Sequence, residues 1–126
     1  MGSLGETAKT AVDKKRDGGE AVGLINLRLW RPFPFDELYR AVRNAEILIV
    51  LDRCISLGGP GGPVFSEVRS ALFGKDIKVV GLVGALCGRN LSVRQFESVI
   101  DRGEEIARSR TKEIFETIGI RGRDDK

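Results

Sequence analysis

Histidine is absent from this 126-residue sequence. That removes the usual general base at neutral pH, any Ser-His-Asp triad and all imidazole ligation of metals. Cysteine is nearly absent too: Cys54 and Cys87 stand alone and far apart. Two isolated thiols do not by themselves hold a zinc ion or an iron–sulfur cluster. In a reducing compartment they are expected as small, semi-apolar residues at strand ends rather than as a disulfide. A strong charge of one sign is also missing. Net charge is +3, and the basic residues are interleaved with acids with no aromatic platform among them, so no nucleic-acid footprint is present. No apolar run approaches the ~20 residues of a membrane span. The N-terminus lacks the basic-then-apolar pattern of a signal peptide, and a cytoplasmic location is expected.

What remains is a chain of ordinary composition, long enough for one domain with a modest core. Its organising stretch is residues 47–72. Ile47-Leu48-Ile49-Val50-Leu51 is short, apolar and largely β-branched. Such a run reads as a strand buried on both faces of a parallel sheet. Asp52 and Arg53 end it with charge. Gly58-Gly59-Pro60-Gly61-Gly62-Pro63 follows, a backbone free to turn sharply and to approach other groups closely. Pro63 suits the first position of a helix. Phe65, Val68 and Leu72 then recur at helical spacing, with Glu67 in the first turn and Gly74 as the stop.

The glycine-rich loop is a candidate anion or interface site through Gly58, Gly59, Gly61, Gly62, Arg53 and Arg89. A helix N-terminus behind a flexible loop offers free N–H groups to phosphate or carboxylate. The spacing is not Gly-x-Gly-x-x-Gly, however, and no Gly-Lys-Ser/Thr follows, so neither nucleotide fingerprint is met. A tight strand-to-helix connection that also packs on a neighbour is the favoured alternative.

Before this stretch, Ser3-Leu4-Gly5-Glu6 has the form of a capping box. Leu4, Ala8, Ala11 and Val12 mark the face of a first helix that Gly18-Gly19 closes. Lys14, Lys15, Arg16 and Asp17 read as its solvated end. A helix in alternating α/β folds normally follows a strand. Residues 22–29, rich in Val, Leu and Ile, read as a strand interrupted by Asn26 and Arg28. Trp30-Arg31-Pro32-Phe33-Pro34 comes next, held extended by its prolines. Trp30, Arg31, Phe33 and Phe35 form a candidate interface cluster, since rigid aromatics beside an arginine are common contact anchors; a satellite cluster sealing the sheet edge is the equal alternative. A helix then opens at Pro34 or Phe35 and runs through Leu38, Val42 and Ala45.

After the central stretch, residues 77–83 form a strand. Ser92 and Gln95 make a second capping box, and Val93, Phe96, Val99 and Ile100 give the core face of the helix that follows. Gly103 is expected to break or bend it. Residues 104–123, with alternating charges and a sparse Ile106, Ile114, Ile118 stripe, read as a solvated helix, and 122–126 as a frayed tail. The alternation predicts an α/β fold of three layers, α/β/α, with a mainly parallel sheet and N-terminal strand(s) missing. Residues 1–103 make the α/β domain and 104–126 a charged appendage. Functional loops of such sheets lie at the carboxyl ends of strands, which brings Arg31, Arg53 and Arg89 to one edge. They hold an anion or an acidic partner there, or else each caps carbonyls or pairs with Asp52; the second is preferred. An unpaired slot between apolar strands invites aggregation, so either residues 22–29 pair directly with 47–51 or a strand from another chain fills the slot between them; direct pairing is expected.

The motif series is recognisable. Arg31-Pro32-Phe33-Pro34, Val50-Leu51-Asp52-Arg53, Gly58-Gly59-Pro60-Gly61-Gly62-Pro63 and Gly88-Arg89 resemble the pyruvate:ferredoxin oxidoreductases, in the transketolase C-terminal-like domain of the α subunit. The resemblance runs from the first residue to about Ile100, and the Met1-Gly2-Ser3 start looks like that domain's interior. Val-Leu-Asp-Arg with Gly-Gly-Pro-Gly-Gly-Pro is more similar to the pyruvate branch than to the 2-oxoglutarate branch. Cys87 departs from a usual glycine and Asn90 from a usual aspartate. The resemblance implies a whole enzyme that oxidatively decarboxylates pyruvate with coenzyme A to acetyl-CoA. It would use thiamine diphosphate and magnesium and pass electrons through [4Fe–4S] clusters to ferredoxin. Its thiamine sites lie in other domains and another subunit, so no catalytic or metal residue is expected here, and this chain alone should bind no cofactor and be inactive. A structural and assembly domain of such an enzyme is therefore expected. A free-standing module binding a small anion at residues 58–63, or an interaction protein using residues 30–35 and the terminal helix, are the alternatives.

Overall fold

A computed structural model describes residues 2–110 and 114–119. The helices are α1 (Leu4–Asp17), α2 (Phe35–Val42), α3 (Pro63–Ala71) and α4 (Val93–Arg108); the strands are β1 (Ile47–Asp52), β2 (Lys78–Val83) and β3 (Phe115–Thr117). A short 3-10 turn, Leu86–Gly88, precedes α4. The sheet order is β1-β2-β3, all parallel, with Ile47 opposite Lys78 and Gly81 opposite Phe115.

Helices cover both faces, as two-sided apolar strands require. On one face α1 and α4 pack Leu4, Ala8, Ala11 and Phe96 with Ala85 and Leu91, against Leu51. On the other, α2 and α3 pack Leu38, Val42, Phe65, Val68 and Leu72 on Val50, with Leu48 and Val79. Phe65 is wholly buried. The expected three-layer α/β architecture with a parallel sheet is thus present. Ser92 and Gln95 close the capping box foreseen for α4: the Ser92 hydroxyl accepts from Gln95 N at 3.3 Å, and Gln95 accepts from Ser92 N at 2.8 Å.

Several expectations are corrected. Residues 22–29 are in no ladder. Apolar content favours a strand only where a partner edge is in reach. Here Asn26 lies against the first turn of α1, so that a Cβ at Gly5 would stand 2.9 Å from its Nδ2. A cleft separates the segment from β1, and the direct pairing with 47–51 does not form. The third strand comes instead from a stretch read as helix. Ile114 and Ile118 are spaced like a helical stripe, but Gly81 N donates to Ile114 O and Ile118 N to Val83 O, both at 2.8 Å, on the free edge of β2. Ile114 and Phe115 join the α2–α3 core. Residues 120–126, with the expected frayed tail, lie outside the described residues.

Gly103 does not break α4, which continues to Arg108. The glycine is there for close approach, since a Cβ would stand 2.5 Å from Ile49 Cδ1. Ser3 makes no side-chain cap. Lys15 is not solvated. It is 8% exposed on the core face of α1, bonded at 2.6 Å to Asp101 of α4 and at 3.0 Å to Glu20. Those carboxylates hold its pKa above the usual lysine value, against the cost of burial. Lys14 pairs with Glu97 at 2.8 Å, so two cations of α1 clamp it to α4.

Candidate functional site

The carboxyl end of β1 is built around Asp52, 3% exposed. Its Oδ1 accepts from Val64 N at 3.2 Å and its Oδ2 from Phe65 N at 2.9 Å. Those amides belong to the first turn of α3, where N–H groups lack intrahelical partners and the dipole favours an anion. Burial pushes the Asp52 carboxyl above its ordinary value, and the two amide bonds oppose that.

The loop exists to let this happen. Gly62 lies directly over the Asp52 carboxylate, in the volume a Cβ would fill. Gly61 takes a φ of +132°, with the rings of Phe65 and Phe115 where its side chain would be. Gly61 O accepts from Ser56 N at 2.9 Å, which closes the loop on itself. Gly61 and Gly62 are buried; Gly58 and Gly59 are exposed at the tip, beside Leu57, which is 97% exposed. The α3 donors nearest the loop are therefore engaged by the chain's own carboxylate. Asp52 is the residue that sequence reasoning placed at the strand end without seeing its role. An acidic residue closing an apolar strand, followed by glycines and Pro63, is the signal that points to it.

The three arginines do not converge. Arg31 forms a two-pronged ion pair with Glu67 of α3, at 2.5 and 2.8 Å. This raises the Arg31 pKa and lowers that of Glu67. Arg31 also lies over the Trp30 ring, 5.4 Å from its centroid. Arg89 donates to Gly119 O at 3.2 Å. Arg53 is exposed, makes no ion pair among the described residues, and lines with Trp30 a cleft of about 440 Å³. Phe33 packs on the α2–α3 core, 4.9 Å from the Phe35 ring, while Phe35 stays 59% exposed.

Cys87 has φ +57° and Ala85 φ +55°, a left-handed backbone that non-glycine residues seldom adopt. Both cysteines are free and exposed. Among the described residues no three Cys, Asp or Glu side chains gather to hold a metal ion. No helix among them is long and apolar enough to cross a membrane.

A parallel open sheet between helix pairs, with its strand-end loop held by an aspartate, defines an α/β domain of the open-sheet class. The particular family follows from comparison: the chain belongs to the pyruvate:ferredoxin oxidoreductase core domain II family, which matches residues 1–96. It is 37% identical over 86% of its length to the pyruvate synthase subunit PorA of Methanosarcina barkeri, covering 28% of that protein. It is 32% identical over 84% of its length to the NADH-dependent phenylglyoxylate dehydrogenase subunit alpha of Aromatoleum evansii, covering 26%. It is 31% identical over 96% of its length to the pyruvate synthase subunit PorA of Pyrococcus furiosus, covering 31%. The chain thus spans under a third of these relatives. The family expected from the four loop motifs is the family found.

Proposed function

We infer that this chain is a structural and assembly domain of the α subunit of a 2-oxoacid:ferredoxin oxidoreductase, acting on pyruvate and located in the cytoplasm. The observation that carries this is the family match over residues 1–96, joined to a strand-end loop whose α3 amides are already taken by Asp52. In the whole enzyme, thiamine diphosphate, magnesium and [4Fe–4S] clusters on other domains and subunits would supply the chemistry, with coenzyme A and ferredoxin as the acyl and electron acceptors. This chain's own part is to hold a rigid layer against those domains. Exposed Leu57 and Phe35, with Trp30 and Arg53 at the cleft, are the contact surface proposed for them.

The test is anaerobic purification of the native protein through a tag on this chain. Co-purifying subunits that reduce ferredoxin with pyruvate and coenzyme A support the reading. A chain that elutes alone, with full occupancy of the tag, overturns it. Calorimetric titration of the chain with phosphate, pyruvate and coenzyme A separates the alternative of an anion-binding module. No binding tighter than millimolar is expected, and a micromolar constant for any of the three would favour that alternative.

A further inference from the structure

At the amino end of the sheet, away from the strand-end loops, α2 and α3 finish side by side. α2 leads into β1 and α3 into β2, so both helix C-termini lie at that end. Val42 and Leu72, at the two helix ends, share one core cluster. Around these ends the surface carries two exposed aromatics, Phe73 at 90% and Tyr39 at 39%. It also carries three exposed cations, Arg43, Arg69 and Lys75.

These side chains adjoin. Lys75 Nζ stands 4.4 Å from the Tyr39 ring centroid, which joins the turn after α3 to α2. Arg43 follows Tyr39 by one helical turn, and Phe73 follows Arg69 by the same interval. The turn itself is fixed. Phe73 N donates to Ser70 O at 3.3 Å and Lys75 N to Leu72 O at 3.0 Å, and Gly74 between them takes a φ of +76°. Arg69 is steadied over the Phe65 ring, 5.4 Å from its centroid. A cation resting on a ring face keeps N–H groups for a further acceptor.

The three cations meet no carboxylate. None of them forms an ion pair among the described residues, and neither does Asp76, the acid next to Lys75. Helix C-termini favour nearby cations through the dipole, which accounts for Arg43 and Arg69. It does not account for an almost fully exposed phenylalanine on a hydrogen-bonded turn. Aromatics beside arginines are the common anchors of protein contacts.

Resting on the reading of the chain as part of a multisubunit enzyme, we propose that this amino-end patch docks an acidic surface of another subunit. Phe73 enters an apolar recess of that partner, and the partner's carboxylates pair with Arg43, Arg69 and Lys75. Charge complementarity selects this occupant, because clustered cations are buried at a contact only when carboxylates meet them. A nucleic acid is the poorer fit: its phosphates need a longer basic track, and the chain as a whole carries only +3. The patch lies at the other end of the sheet from the loop of Leu57, so it is a second contact and not an extension of the first.

The test is charge reversal in the native complex. The protein is purified anaerobically through a tag on this chain, as wild type, Arg69→Glu/Lys75→Glu, Phe73→Ser, and Arg16→Glu as a control on α1. Arg16 is also an exposed cation. The double reversal should lose one subunit on the order of tenfold or more, and Phe73→Ser should lose the same subunit. Arg16→Glu should retain it. Urea midpoints check folding, and Lys75→Glu alone replaces the double reversal if that protein does not fold. Retention of every subunit by the reversed chain overturns the patch and leaves the enzyme reading standing. So does an equal loss in Arg16→Glu, which would mark a general charge effect. A wild-type chain that elutes alone removes the enzyme reading instead. The patch is then decided by NMR titration of the 126-residue chain with hexaglutamate and with oligothymidylate. Hexaglutamate shifts at Tyr39, Phe73 and Lys75 that the double reversal abolishes would keep a site for acidic polypeptide. No shift there, or tighter binding of the oligonucleotide, overturns it.

Discussion

Replacing Asp52 by alanine should destabilise the chain through one helix end. The carboxylate accepts from Val64 N at 3.2 Å and from Phe65 N at 2.9 Å. Alanine leaves both amides without their acceptor. Phe65 is buried, so its N–H meets no water, whereas Val64 is half-buried and can be partly hydrated. Loss of a cap costs about 0.5–2 kcal/mol, and a buried N–H left alone costs about 1–3 kcal/mol. Removing a desolvated charge returns part of this, so the net expectation is about 2 kcal/mol. With a urea m-value of roughly 1–3 kcal/mol/M, the unfolding midpoint should fall by about 1 M. Asp52→Asn keeps an acceptor oxygen and should lose roughly half as much. Gly62→Ala drives a methyl into the same carboxylate and should resemble Asp52→Ala. The two should be strongly non-additive in a double-mutant cycle, because each removes the same contact. Amide exchange gives the local check: Val64 and Phe65 should exchange faster in Asp52→Ala by more than the global loss explains. A midpoint within about 0.2 M of the parent, or additive costs in the cycle, would refute the cap as the reason for this loop.

The remaining expectations use the same kind of measurement. Gly103→Ala should lose about 1 kcal/mol, because overpacking against Ile49 exceeds the ~1 kcal/mol helix gain of alanine; in an Ile49→Ala background the same change should stabilise. Cys87→Gly should raise stability by up to about 1 kcal/mol by relieving a left-handed φ, and a fall in the urea midpoint would contradict this. For Glu67 the sign runs with a depressed folded pKa: Arg31 holds it below its ordinary 4.5, so the pair's contribution is present above pH 4.5 and is lost as pH falls through the lowered value. Glu67→Gln should therefore differ from the parent at pH 7 and converge with it in acid, and a difference that persists in acid would exclude the pair as its source.

The sequence by itself determined what rests on local chemistry. The apolar run at Ile47–Asp52 is a strand because a short β-branched run, apolar on both sides, suits a sheet packed between two helix layers. Pro63 opens α3, and Ser92 with Gln95 starts α4, because those side chains satisfy or dispense with N–H groups a helix end leaves free. The four loop motifs gave the family for the same reason: each is a short backbone requirement written in glycine, proline and charge. Tertiary structure decided what depends on a partner far along the chain. Residues 22–29 have strand composition and no ladder, since a ladder needs an edge within reach. Residues 115–117 have a helical-looking neighbourhood and pair with β2, since that edge was free. Lys15 is buried rather than solvated because Asp101, on another helix, is there to meet it. Gly103 is a contact point and no helix breaker because Ile49 stands beneath it. Asp52 caps α3 only because the fold returns the helix to the end of its own strand, and that distance is written nowhere in the order of residues.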